Sequence, residues 1–512
     1  MNNHSIISTG LSRLLNHTWE RRRPAGMSHS LKLPARRQRS QGLRRCGSRS
    51  EGTASFGIGK SSPRKSGLGK GRRNSECLAA GRLVRFGYRT AIIPTILLLA
   101  FAFFCFCASS PAQEKTRWWK GNLHTHTHWS DGDDYPEMVT EWYKKRGYHF
   151  LALSDHNVLL EGEKWISITN SKGGEAAFKK YLARFGEQWV TRRTLNGTNE
   201  VRLKTLEEFR GRFEERDRFL MIPSEEITDR YKVLPVHINA TNPREFIKGR
   251  GGSNVFEVMQ NNVNAVLEQR ARTGQPMFPH LNHPNFVWGV TAEELMRVRG
   301  ERFFEVYNGH PSVHNEGDQY HASTERMWDI ILSFRLTELG MDTMYGLAVD
   351  DAHDYHSMRL KNSNPGRGWV MVRAARLDAE SIIAAMEAGD FYASNGVRLK
   401  TVQRGPNRLA LEIEAEPGVI YTTQFIGTRK GFDPTSQPGA RPAGSPWPVT
   451  RQYSAEIGAV LAEVKGTSPD YTVDGDELYV RAKVMSSKPK ENPYLVGEFE
   501  MAWTQPLVLK GK

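Results

Sequence analysis

Beyond residue 107 the 512-residue chain contains no cysteine: Cys46, Cys77, Cys105 and Cys107 are all it has. The body of the protein therefore has no disulfide framework and no thiolate metal site, and a domain of about 400 residues buries a core without such staples. The body also lacks net charge. The formal +15 of the chain is concentrated in residues 1–90, where 20 Lys and Arg face three acids; that net of +17 leaves −2 for the rest. A near-neutral body argues against a nucleic-acid partner. A glycine-rich loop that would cradle phosphate is missing as well.

Residues 1–90 are rich in Ser, Gly and Arg, without a sustained apolar period, and are expected to be disordered. The one long apolar run, residues 91–108, follows Arg82, Arg85 and Arg89 and precedes the small-residue stretch ending at Ala112. This is the pattern of a signal peptide cleaved after Ala112. An uncleaved amino-terminal anchor is the alternative, because the run is near the lower length limit of a span. The protein is thus expected to be exported, periplasmic or extracellular, and to meet a membrane only through that segment. A signal so far into a chain points to a later translation start, for instance at Val84. A basic arm for nucleic acid or anionic lipid is the other reading of the leader.

From residue 117, short apolar strands alternate with amphipathic helices, the α/β signature. Seven strands are predicted: 119–126, 149–154, 219–223, 236–240, 277–282, 303–307 and 346–349. An insertion at about 161–218 carries a hairpin turning at Asn196-Gly197 and a helix opened by the capping box Thr205/Glu208. Past residue 400 the pattern becomes all strand and turn, read as a β-sandwich-like carboxyl-terminal domain over 401–512, with Trp447 and Trp503 in its core.

Against this background stand nitrogen and oxygen metal ligands. His124 and His126 share one face of an extended chain. His156, Glu226, His283, Asp351 and His353 lie at or just after the carboxyl ends of predicted strands, where a parallel barrel assembles its active site. His237 and Asp131 add to a set too large for one ion. Imidazole with carboxylate suits zinc, manganese or iron, and two or three divalent ions are expected. His128 reads as an exposed neighbour and Asp350 as a structural one. His280 is the alternative to His283 on its strand. His310, His314, His321 and His356 are candidates for substrate contact. Asp155, beside His156, reads as either a ring-orienting acceptor or a proton shuttle.

These residues resemble the polymerase-and-histidinol-phosphatase (PHP) family of metallohydrolases. His124-Thr-His-Thr-His-Trp-Ser-Asp-Gly132 matches its first motif, Ser154-Asp-His156 the second, Ser224-Glu-Glu226 the third with Ser for Gly, and His283-Pro284 and Asp351-Ala-His353 the last two. The resemblance covers residues 117–400 and is nearest the secreted, carbaryl-hydrolase-like branch. It implies a distorted seven-stranded α/β barrel. It also implies one ion on His124, His126, Glu226 and Asp351, a second adding His237 and His283, and a third on His156 and His353 with Asp131 as a stand-in. Such a site predicts a phosphoesterase acting on an extracytoplasmic phosphomonoester or phosphodiester through a metal-bound hydroxide, with Asp351 and Asp155 the catalytic carboxylates. A carboxylic or carbamic ester hydrolase and a non-catalytic metal-binding module are the alternatives.

Overall fold

The computed structural model describes residues 115–509. The basic leader, the apolar run and all four cysteines lie outside the described residues. Strand β1 (Arg117–Asn122) leads to helix α1 (Pro136–Lys145) and β2 (Phe150–Leu153). Proline opens α1, where its missing N–H costs no hydrogen bond, and Gly147 at φ 73° turns the chain away from its end. The insertion folds as β3 (Trp165–Ser167), α2 (Gly174–Phe185), β4 (Arg192–Leu195), β5 (Thr198–Arg202) and α3 (Leu206–Arg210). Asn196 and Gly197, both at positive φ, join β4 to β5, and the Thr205/Glu208 capping box is formed.

There follow β6 (Leu220–Tyr231), β7 (Leu234–Thr241), α4 (Val255–Thr273), β8 (Phe278–Leu281), α5 (Ala292–Leu295), β9 (Phe303–Asn308), α6 (Thr324–Leu336), β10 (Tyr345–Val349), β11 (Trp369–Ala374), α7 (Ala379–Glu387) and β12 (Phe391–Ser394). Beyond β12 the elements are all strands: β13 (Leu399–Arg404), β14 (Arg408–Ile413), β15 (Tyr421–Arg429), β16 (Ser436–Gln437), β17 (Gln452–Tyr453), β18 (Ala459–Lys465), β19 (Asp470–Thr472), β20 (Glu477–Pro489), β21 (Phe499–Thr504) and β22 (Leu507–Val508). The fold is mixed α/β, with one large sheet and several small ones.

The large sheet runs β10-β9-β8-β7-β6-β2-β1-β11-β12-β21-β20-β15-β18, with β22 paired to β20. Two features depart from the sequence reading. First, the seven predicted strands are not all parallel, because β7 is antiparallel to both β6 and β8. Only Lys232 and Val233 separate β6 from β7, and a two-residue link can join only antiparallel neighbours. Second, β21, β20, β15 and β18 extend the main sheet through the β12–β21 pairing. They cover an edge that β12 would otherwise leave unpaired.

Helices pack on the sheet through large apolar side chains. Trp328 of α6 is fully buried, stacks edge-on to Phe304 of β9 and donates its indole N–H to the Met344 carbonyl at 2.9 Å. Trp503 is buried against Tyr307, as expected of a core residue. No helix of the described residues is long and apolar enough to cross a membrane.

Candidate metal centre

Backbone pairing first brings the ligand-bearing segments together. The chain leaving β1 meets the chain leaving β10 at a parallel bridge, Thr125 to Ala352, with Asp351 N donating to His124 O at 3.0 Å and His126 N to Ala352 O at 2.9 Å. Asp351 itself sits at φ 51°, a left-handed conformation that Asp tolerates better than most residues. The segment after β2 bridges β6 in the same way, His156 to Glu226. His237 lies in the first half of β7. Because β7 runs antiparallel, that half reaches the same end of the sheet as the carboxyl ends of its neighbours.

The side chains converge accordingly. Nε2 of His124 lies 3.1 Å from Nε2 of His126, 3.3 Å from Asp351 Oδ1 and 3.6 Å from Glu226 Oε2. His126 Nε2 is 3.1 Å from Asp351 Oδ1 and 3.5 Å from Glu226 Oε2. Glu226 Oε1 accepts from His237 Nδ1 and from Asn282, both at 2.8 Å. Five groups of three or four donors form, each with donor atoms within 4.8 Å of one another: His126/Asp131/His156/His353, His124/His126/Glu226, His124/His283/Asp351, His156/Glu226/His237 and His124/His280/Glu305. All nine residues singled out as ligands take part. The partition differs from the resemblance in three respects: His283 groups with His124 and Asp351 and not with His237, His156 also joins Glu226 and His237, and His126 also joins the Asp131 group. Asp131, with its side chain 51% exposed, marks the side open to solvent.

Hydrogen bonds at the far side of each ring decide what the near side can do. His124 Nδ1 contacts the Glu305 carboxylate at 2.6 Å, which can only accept. Ser130 gives its hydroxyl hydrogen to Asp155 at 2.6 Å, so at 3.3 Å it accepts from His126 Nδ1. His353 Nδ1 donates to the Asp351 carbonyl at 2.9 Å. In their neutral forms all three rings therefore carry the proton on Nδ1 and turn an Nε2 lone pair inward. Those lone pairs meet each other or carboxylates: His124 faces His126, and His353 Nε2 faces Asp131 Oδ1 at 3.3 Å. Glu226 Oε2, sealed from solvent, has no partner in hydrogen-bond geometry, although His156 Nδ1 lies 2.6 Å away and His126 and His124 Nε2 lie 3.5 and 3.6 Å away. Converging lone pairs repel unless a cation lies among them, so this donor set fits divalent metal.

Without metal, protons take up that role. Burial alone would lower His124, but Asp351, Glu305 and Glu226 lift it well above its ordinary value. Burial likewise works to raise Glu226, yet His156, His237 and His124 hold it far below the usual carboxylate range. Burial dominates at His126, pushed down to about 3, with His353 and His156 adding to the effect.

Several neighbours fall differently from their sequence reading. His128 is buried, not exposed, and donates its Nδ1–H to the Gly132 carbonyl at 3.0 Å. Both Asp155 oxygens are engaged, Oδ1 by Thr127 N and Ser130, Oδ2 by the Thr127 hydroxyl. Asp350 accepts from the backbone N–H groups of Gly366, Arg367 and Gly368 and is structural, as read. Glu225 points to the opposite face of β6 from Glu226, accepts from Ile247 N at 2.6 Å, and is pushed by burial up to about 8. Glu305 belongs to none of the sequence motifs. Fully buried on β9, it holds His124, lies 3.3 Å from His280 Nε2, and accepts from His283 N and Asn308. An acid inside the apolar strand Phe-Phe-Glu-Val-Tyr was the available signal.

No family model matches the chain, and no curated protein does. Solved structures similar to it include a two-domain protein from Bacteroides vulgatus ATCC 8482 containing a predicted PHP-like metal-dependent phosphoesterase, at 12% identity over 77% of this chain and 96% of that one, with a TM-score of 0.33. Another is a protein from Bifidobacterium adolescentis ATCC 15703, provisionally named a metal-dependent phosphoesterase, at 14% identity over 47% of this chain and 89% of that one, with a TM-score of 0.23. Likeness at this level carries no weight for the chemistry, which rests on the donor geometry.

Proposed function

We propose that the chain is a PHP-type metal-dependent hydrolase that cleaves a phosphomonoester or phosphodiester outside the cytoplasm. One observation carries this reading: inward lone pairs of His124, His126 and His353 face each other and the carboxylates of Glu226, Asp351 and Asp131. The bridge between Thr125 and Ala352, which joins the two ends of the seven-strand run, supports a distorted barrel. Export rests on the apolar run 91–108 and its basic flank.

His124, His126, Glu226, Asp351 and His283 would hold one divalent ion, His156, Glu226 and His237 a second, and Asp131, His156, His353 and His126 a third; zinc, manganese or iron suits such donors. Bound ions would acidify a water toward a pKa of ~7 and offset negative charge on the phosphoryl group. The chain's own residues do the rest. Glu305, Asp155 through Ser130, and the Asp351 carbonyl hold His124, His126 and His353 in the tautomers that present Nε2. Asp351, whose Oδ2 accepts from Asn308 at 3.1 Å, is the carboxylate assigned to position the attacking water and take its proton. With both oxygens engaged in the first loop, Asp155 acts as a positioning residue.

The test is turnover by the purified full chain, loaded with zinc or manganese, on aryl phosphates, bis-aryl phosphates and aryl esters. Phosphoester hydrolysis that stops on chelation is expected. Turnover of esters alone would transfer the site to carboxylic or carbamic esters, and metal binding without any turnover would make it a binding module.

A further inference from the structure

Beside the donor cluster sits one ring that obeys the opposite hydrogen-bond logic. His310 follows β9, on the loop after Asn308, and its own N–H donates to Asn308 Oδ1 at 2.8 Å, which fixes the backbone there. The ring is partly exposed and packs edge-on to His353, with centroids 5.5 Å apart, and to Phe286 at 6.3 Å. Phe286 in turn touches His283, with centroids 5.1 Å apart. Asp351, His353, His283 and Lys172 lie near enough to act on the charge of His310. It therefore borders the centre between ligand-bearing loops. Yet it belongs to none of the donor groups.

Its tautomer is set by the backbone. Ser312 N donates to His310 Nδ1 at 3.1 Å. A nitrogen that accepts an N–H carries no proton of its own, so the ring hydrogen is on Nε2. Among the described residues no hydrogen-bond partner faces that Nε2. His124, His126 and His353 carry a lone pair on Nε2, whereas His310 carries a hydrogen there. A ring of that tautomer cannot ligate through Nε2 without losing its proton. It is instead a ready donor to an oxygen that arrives with the substrate.

We infer that His310 is a substrate-binding residue, which donates Nε2–H to a non-bridging oxygen of a phosphoryl group at the open side of the centre. This rests on the hydrolase reading above for its substrate class. Hydrogen bonds to charged oxygens are among the stronger ones, and their loss is worth about tenfold or more in affinity.

The experiment compares His310→Phe, which keeps a ring and removes the donor, with His310→Gln, whose amide N–H reaches nearly as far. Each is measured as the full chain loaded with zinc or manganese, by metal analysis, by calorimetric titration with inorganic phosphate, and by kcat/KM on an aryl phosphate. The expected result is wild-type metal content in both variants, phosphate affinity and kcat/KM at least about tenfold lower in His310→Phe, and recovery of most of that loss in His310→Gln. Unchanged phosphate affinity in His310→Phe overturns the assignment and leaves the hydrolase reading standing. Loss of a metal equivalent in His310→Phe overturns it too, by making the ring a ligand. If the wild-type chain turns over no phosphoester, the hydrolase reading fails, while the phosphate titration still reports on His310; no phosphate binding by the loaded wild-type chain overturns the assignment as well.

Discussion

Two buried charge clusters in this protein solve the same problem in opposite ways. Where α6 meets β20, Asp329 is paired completely from within the chain. Arg481 donates Nε to Oδ1 at 2.8 Å and Nη2 to Oδ2 at 2.6 Å, and the Tyr479 hydroxyl adds a third bond at 2.8 Å. Lys483 and Arg481 likewise face Glu325. Among the described residues, the cluster of Glu226, Asp351, Asp131 and Glu305 receives no Arg or Lys at hydrogen-bond distance, only imidazoles, the neutral amides of Asn282 and Asn308 and the His283 backbone N–H. Burying charge is costly unless it is paired. The first cluster carries its own cation, and the second is built to receive one.

If that contrast holds, mutations in the two clusters should have separable consequences. Glu226→Gln is expected to have the largest effect on function, lowering kcat/KM by about a hundredfold or more, the scale of losing several kcal/mol of charge stabilisation. Metal content should fall with it while the folded state persists. Full activity with unchanged metal would break the comparison at its centre. Asp329→Ala should do the reverse: it leaves Arg481 buried without a partner, at a cost of about 3–5 kcal/mol in denaturant unfolding, and metal content per folded chain stays as in the wild type. A stability loss that depends on added metal would show the two clusters to be coupled.

Glu305→Gln sharpens the contrast from within the donor cluster. An amide oxygen can still accept from His124 Nδ1 but draws on that proton less strongly, which leaves Nε2 less basic, and metal affinity should drop by about 10–100-fold in competition with a chelator. An unchanged affinity would mean that His124 is oriented by its backbone alone. The smallest effect is expected from deleting residues 1–83, which lie before the apolar run and every ligand: export and turnover should match the full chain, and loss of secretion would give the basic leader a function.

Much of the centre was legible because its residues are chemically conspicuous. His124 and His126 share a parity, and His283 and Asp351 fall just past strand ends, whereas Glu226, expected just after a strand, lies within β6. What escaped notice did so for identifiable reasons. β6 runs on through the polar stretch Ser224–Tyr231, whose acids hide its strand character. Its hairpin with β7, and so the antiparallel direction of β7, could not be inferred from the apolar core Phe219–Pro223. His237 was chosen nonetheless, although the strand-end rule does not cover it. Glu305 is inconspicuous because it stands alone in an apolar strand, away from the histidine motifs. The carboxyl-terminal strands were expected to form a separate body, since periodicity reports a strand's two faces and says nothing of which edge it joins.

The central claim is that the inward-facing donors await divalent cations, and metal analysis of the full chain tests it most directly. After loading with excess zinc or manganese and gel filtration, the account predicts at least two tightly held ions per wild-type chain and fewer in Glu226→Gln, with anomalous diffraction placing them among His124, His126, His156, Glu226 and Asp351. A folded wild-type chain that leaves the column metal-free, or whose ions bind away from those side chains, would contradict it.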